Sequence, residues 1–158
     1  MDKLKLLNLD YELSVEVFEK CSDIIEKKSC YKNIALSLLE YVDYEEKFDE
    51  VKIVFGGFKP IDSLTEDNIF FRHCFYILND KVIDPTLIYL IRNGDIDVDI
   101  EKVKANTVYF NVISFDKDDY KEKLSECMGA TSLDKYTMKP LNDFQMKLYI
   151  EQNILMVG

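Results

Sequence analysis

The sequence predicts an α+β domain, with helices at both ends and an antiparallel sheet between them. Three observations carry that prediction. Apolar residues recur at helical spacing over Tyr11–Lys28 and again over Ile34–Tyr41. Ile69–Leu78, rich in aromatic residues, and Lys81–Asp84 flank an Asn79-Asp80 turn signal and read as a hairpin. Asp116–Cys127 and Leu141–Asn153 then return to helical patterns. The 158 residues contain no repeat, low-complexity run or linker, so 1–158 reads as one domain.

In the first helix, Leu13, Val17, Ile24 and Ile25 mark the buried stripe, widened by Val15, Phe18 and Cys21. Ser29-Cys30-Tyr31-Lys32-Asn33 interrupts the pattern before the strongly apolar second helix. Ser29 is a suitable N-cap, which places Cys30 in the first turn. Val51–Phe55 reads as a strand ended by Gly56-Gly57, and Pro60–Asn68 as a polar loop. Pro85 closes the strand after Asp84, because it has no amide hydrogen for a ladder. Tyr89–Asp99 fits no single pattern, with a turn signal at Asn93-Gly94, and Thr107–Ser114 reads as a further strand. The helix over Asp116–Cys127 opens on acidic capping residues.

Composition narrows the function classes. Hydrophobic residues make up 47% of the chain, enough for a core. The formal net charge of −10 repels phosphate backbones and anionic lipid, which argues against nucleic acid or membrane as partner. It is compatible with steering a basic substrate or partner. Met1-Asp2-Lys3-Leu4-Lys5 is charged and no apolar run follows, so a soluble, cytoplasmic protein is expected. Asp43-Tyr44-Glu45-Glu46 and Asp95–Glu101 read as solvated acidic faces. The four cysteines, with one histidine and no C-x-x-C, match no metal motif, and free thiols are expected.

The hairpin brings chemistry together. With a two-residue turn at Asn79-Asp80, Leu78 faces Lys81, Phe75 faces Asp84 and His73 faces Thr86. Side chains alternate along a strand, so His73, Phe75 and Asp84 share one face. His73 and Asp84 are then diagonal neighbours, and the carboxylate can orient the imidazole and stabilise its cation. Arg72 and Cys74 fall on the opposite face. Cys21 lies inside a helix, and Cys127 near the end of one, where the helix dipole disfavours an anion. Cys30 begins a helix, where the dipole favours a thiolate and free N–H groups can hold an oxyanion. The candidate catalytic residues are Cys30 as nucleophile, His73 as base and Asp84 as orienter, and on these features alone Cys30 reads equally as a buried structural thiol at a helix start. Asn33, nearly on the same helix face as Cys30, either contacts substrate or ties down a loop. Gly56-Gly57 either admits a substrate backbone or simply turns the chain.

Cys30-Tyr31-Lys32-Asn33 opening an apolar helix, then Phe55-Gly56-Gly57, His73-Cys74-Phe75 and Val82-Ile83-Asp84-Pro85-Thr86, resembles the transglutaminase-like branch of the papain-like superfamily. The resemblance spans Cys30 to Leu87, and the Asp-Pro-Thr after a hairpin is its most specific part. Phe75 stands where the family usually has Trp, Cys74 where it has a smaller residue, and Ile34 where it has Ala. The resemblance implies a helix carrying the cysteine, packed on an antiparallel sheet carrying His and Asp, with no cofactor and no metal. It implies acyl chemistry on an amide of a protein or peptide through a thioester on Cys30, as in a peptidase, glutamine deamidase or transglutaminase. Acyl transfer from a thioester donor, as in arylamine acetyltransferases, fits less well because those chains are much longer. The alternative is a non-catalytic acidic binding module on the same fold.

Overall fold

In the computed structural model the described residues are 6–25, 30–59, 71–93 and 99–128. The expected N-cap Ser29, the loop over 60–68, Gly94 of the expected turn and the expected helix Leu141–Asn153 lie outside them. Five strands form the frame: β1 (Leu6–Leu9), β2 (Lys52–Lys59), β3 (Phe71–Leu78), β4 (Lys81–Ile83) and β5 (Val108–Asp116). Among the described residues five α-helices accompany it: α1 (Tyr11–Lys20), α2 (Cys30–Glu40), α3 (Pro85–Arg92), α4 (Ile100–Asn106) and α5 (Lys117–Met128). The strands close into a barrel in the order β1-β4-β3-β2-β5. Among the described residues, no helix is long and apolar enough to cross a membrane.

The mixture of helix and sheet is as expected, but its order is not. A strand precedes the first helix, and α3 and α4 stand between β4 and β5. The sheet is not wholly antiparallel, because β1 runs parallel to β4 while pairing antiparallel to β5. Leu7 and Leu9 of β1 are buried and Leu6 is exposed, an alternation too brief to stand out in the sequence. The first helix also stops sooner than its apolar stripe. It starts where Asp10 accepts the Leu13 N–H at 3.0 Å and ends at Lys20, after which the chain turns.

The hairpin has the expected register, Leu78 opposite Lys81, Ile77 opposite Val82 and Tyr76 opposite Ile83. Asn79 and Asp80 adopt φ values of 52° and 63°, the left-handed pair that a two-residue turn matching strand twist requires. Past Ile83, Asp84 caps α3 by accepting the Leu87 N–H at 3.2 Å, and Pro85 opens the helix. This helix accounts for part of the segment whose pattern was ambiguous.

Gly56-Gly57 does not end a strand. β2 continues through both glycines to Lys59, paired on one side with β3 and on the other with β5. The β5 pairing shifts there, from Phe55 opposite Ile113 to Gly56 opposite Asn111, so β5 carries one extra residue. A Cβ on Gly56 would overlap the Phe110 carbonyl, and one on Gly57 the Phe110 ring. The glycines admit a neighbouring strand rather than turn the chain.

Two cores divide the side chains by face. Leu7, Leu9, Val54, Phe58, Phe75, Val82 and Tyr109 form one, joined by Leu87 and Val103 from α3 and α4. Ile53, Phe55, Cys74, Tyr76 and Ile83 face the other way, against Val17 of α1, Ile34, Ala35 and Leu38 of α2, and Tyr120 of α5. Tyr76 pins α2 to β3. Its hydroxyl donates to the Ile34 carbonyl at 2.8 Å and lies 2.7 Å from Ser37 Oγ.

Candidate active site

His73 projects from β3 with Phe75, away from Cys74, as strand alternation requires. Its ring is almost completely buried, with the Phe58 ring 4.3 Å away and the Phe75 ring 6.1 Å away, centroid to centroid. Nε2 lies 2.7 Å from Asp84 Oδ2, and that carboxylate has no exposed surface. The diagonal approach expected from the hairpin register is therefore realised as a short hydrogen bond.

A bare buried carboxylate would be costly, so its remaining lone pairs need donors. The Leu87 N–H serves Oδ1, and the Tyr109 hydroxyl donates to Oδ2 at 2.8 Å. The backbone of Asp84 is held as well. Its N–H donates to Ser14 Oγ at 2.9 Å, and the Ser14 hydroxyl donates to the Asp10 carbonyl at 2.6 Å. Neither Tyr109 nor Ser14 was identifiable from the sequence. They come from β5 and α1, far along the chain, and only barrel closure brings them to Asp84. The one available signal was general: a tyrosine in a buried strand needs a partner for its hydroxyl. Burial, then the Asp84 charge, raise the Tyr109 hydroxyl well above its ordinary range, so it remains a donor.

Cys30 is the first residue of α2 and is partly exposed. Its position follows from Tyr31, which is buried and stacks on Phe55 of β2 at 5.8 Å, seating the first helical turn against the sheet. Cys30 lies within hydrogen-bonding reach of the His73 side chain. Nε2 is engaged by Asp84, which leaves Nδ1 for the sulfur. Burial disfavours a charged imidazole. The charges of Asp84 and Cys30, and hydrogen bonds to both, outweigh it and push His73 from 6.5 up to about 10. The arrangement brings the Cys30 sulfur, the His73 imidazole and the Asp84 carboxyl group into one chain.

The other described thiols differ. Cys74 is fully buried, and burial followed by the Cys30 and Asp84 charges raises it well above the usual thiol range. Cys21 is buried, and burial followed by the Glu40 and Asp23 charges raises it to about 11. The side chains of Arg72 and Cys127 are outside the described set.

Asn33 is fully buried and donates from Nδ2 to Thr86 Oγ1 at 2.9 Å, tying α2 to α3 beside the Asp84 cap. Phe75 is also fully buried, its ring 5.0 Å from Tyr109, so it packs behind the imidazole and has no face for a ligand. Gly56 pairs with His73 on one side and Asn111 on the other. Among the described residues no group of three His, Cys, Asp or Glu side chains could hold a metal ion. No family model, curated protein or solved structure matches the chain.

Proposed function

We propose that this chain is a cysteine-dependent acyl-transfer enzyme of the papain/transglutaminase-like kind, acting on the amide of a protein or peptide through Cys30, His73 and Asp84. The observation that carries the reading is the buried 2.7 Å bond from His73 to Asp84, with the partly exposed Cys30 interacting with the same imidazole. A structural thiol needs neither a charged partner nor access to solvent.

In the reaction the Cys30 thiolate attacks the amide carbonyl carbon, forming a C–S bond and moving the π electrons onto oxygen. The first N–H groups of a helix have no acceptor within it, so the start of α2 is suited to hold that oxyanion. The imidazolium then gives its Nδ1 proton to the leaving nitrogen as the C–N bond breaks, which leaves a thioester and a neutral ring. Water or an amine attacks the thioester, His73 takes the acceptor's proton, and the C–S bond breaks to restore the thiolate. Asp84 stays ionised and keeps Nε2 protonated throughout. Water as acceptor gives a peptidase or deamidase, and an amine gives a transglutaminase.

The test is site-resolved alkylation with iodoacetamide at neutral pH, read by mass spectrometry. Cys30 labels at least about tenfold faster than Cys21, Cys74 or Cys127, and His73→Ala abolishes that advantage. Equal, slow labelling of all four thiols would overturn the enzyme and leave a binding module on this fold.

A further inference from the structure

Asp84 Oδ2 accepts two side-chain hydrogen bonds at nearly equal length, 2.7 Å from His73 Nε2 and 2.8 Å from the Tyr109 hydroxyl. One oxygen thus divides its charge between the ring it orients and a second donor. Tyr109 is fully buried and its ring packs against Phe58 and Phe75, so the phenol cannot swing away during turnover. Among the described residues, the titratable groups acting on the His73 ring are Asp84 at the β4–α3 corner and Cys30 at the start of α2. The Tyr109 hydroxyl acts on the ring through Asp84, and its aromatic ring lies 6.3 Å from the imidazole, centroid to centroid.

We infer that Tyr109 is a positioning residue of the same site: by donating to Asp84 it draws off part of the carboxylate's charge and keeps the imidazolium acidic enough to release its proton. The inference rests on the reading of His73 as proton carrier. Asp84 and Cys30 both hold the proton on the ring, and a ring bound too tightly to its proton is a poor general acid. Each donor added to the carboxylate weakens that grip, and each donor removed strengthens it. The sign separates tuning from scaffolding. Loss of a merely structural contact loosens the site, admits water and lets the ring drift down toward its ordinary value. Loss of a tuning donor moves the ring up.

His73 is the chain's single histidine, so its titration is directly readable by NMR of the ring nitrogens in the full-length protein. Tyr109→Phe, which preserves the packing ring, raises the His73 titration midpoint by about half a unit to one unit. Replacement of Tyr109 by 3-fluorotyrosine, a stronger donor of nearly the same shape, lowers it. Should Tyr109→Phe fail to fold, the fluorinated protein decides alone: an unmoved or raised midpoint overturns the inference. For Tyr109→Phe, an unmoved or lowered midpoint does the same. Iodoacetamide labelling of the unmodified protein keeps the two ideas apart. Selective Cys30 labelling with an unresponsive ring removes Tyr109 from the mechanism, whereas loss of that selectivity removes the acyl-transfer reading itself.

Discussion

His73 binds its proton more tightly in the folded chain than in the unfolded one, and that difference makes stability depend on pH. The ring rises from 6.5 to about 10 on folding. Its contribution is complete below 6.5, where both states carry the proton, and is lost progressively as the pH climbs toward 10. Urea denaturation of the wild type therefore shows a falling midpoint across that window. The slope is largely absent in His73→Gln. Parallel curves for the two proteins would mean that the ring is not held as a cation by its neighbours. At this scale the sequence was informative where the contact was local. A two-residue turn sets the hairpin register, and the register sets the approach of His73 to Asp84. Tyr109 and Ser14 were illegible because their contacts with Asp84 depend on strands and helices meeting across the chain.

β2 and its antiparallel neighbour β5 approach closely at Gly56 and Gly57, where both glycines face Phe110. Turn chemistry and close approach use the same residue, and the local sequence does not say which. The apolar run before the glycines gives way to Gly56-Gly57-Phe58, so the sequence pattern ends where the strand in fact runs on beside β5. The end of α1 shows a related effect: apolar residues beyond Lys20 extend the periodicity, but the chain turns there. The two glycines make separable predictions. In Gly57→Ala the added methyl meets the Phe110 ring, and shortening that side chain relieves it. Gly57→Ala therefore destabilises by about 1–3 kcal/mol, and Gly57→Ala with Phe110→Leu recovers part of the loss. In Gly56→Ala the methyl meets the Phe110 carbonyl, which no substitution at position 110 removes. That variant loses about 3 kcal/mol or more, with no rescue by Phe110→Leu. Urea midpoints of the four proteins decide it, and equal rescue of both glycine variants would contradict this geometry.

At the scale of the whole molecule, barrel closure assembles the site. β1 contributes four residues, yet it joins β4, which leads into Asp84, to β5, which carries Tyr109. Its parallel pairing with β4 was hidden because strand partnership is a long-range property, while the helix-then-strand order suggested a simpler antiparallel sheet. Net charge, by contrast, is readable without any fold, and its consequence for chemistry is testable at the thiol. A chain with a formal charge of −10 concentrates small cations around it and excludes anions, with a range set by the Debye length of about 10 Å at 0.1 M salt. Three alkylating reagents of similar size separate this field from intrinsic reactivity: cationic bromoethylamine, neutral iodoacetamide and anionic iodoacetate. Bromoethylamine differs from the two iodo reagents in leaving group and in lacking an activating carbonyl, so absolute rates are incomparable and the salt dependence of each rate is the observable. Between roughly 20 mM and 500 mM salt, Cys30 alkylation by bromoethylamine slows several-fold, iodoacetamide holds steady and iodoacetate quickens. The imidazolium beside the sulfur acts in the opposite sense, attracting the anion at short range. A slowing of iodoacetate with salt would thus show that the local cation dominates, and the case for a basic substrate would fall.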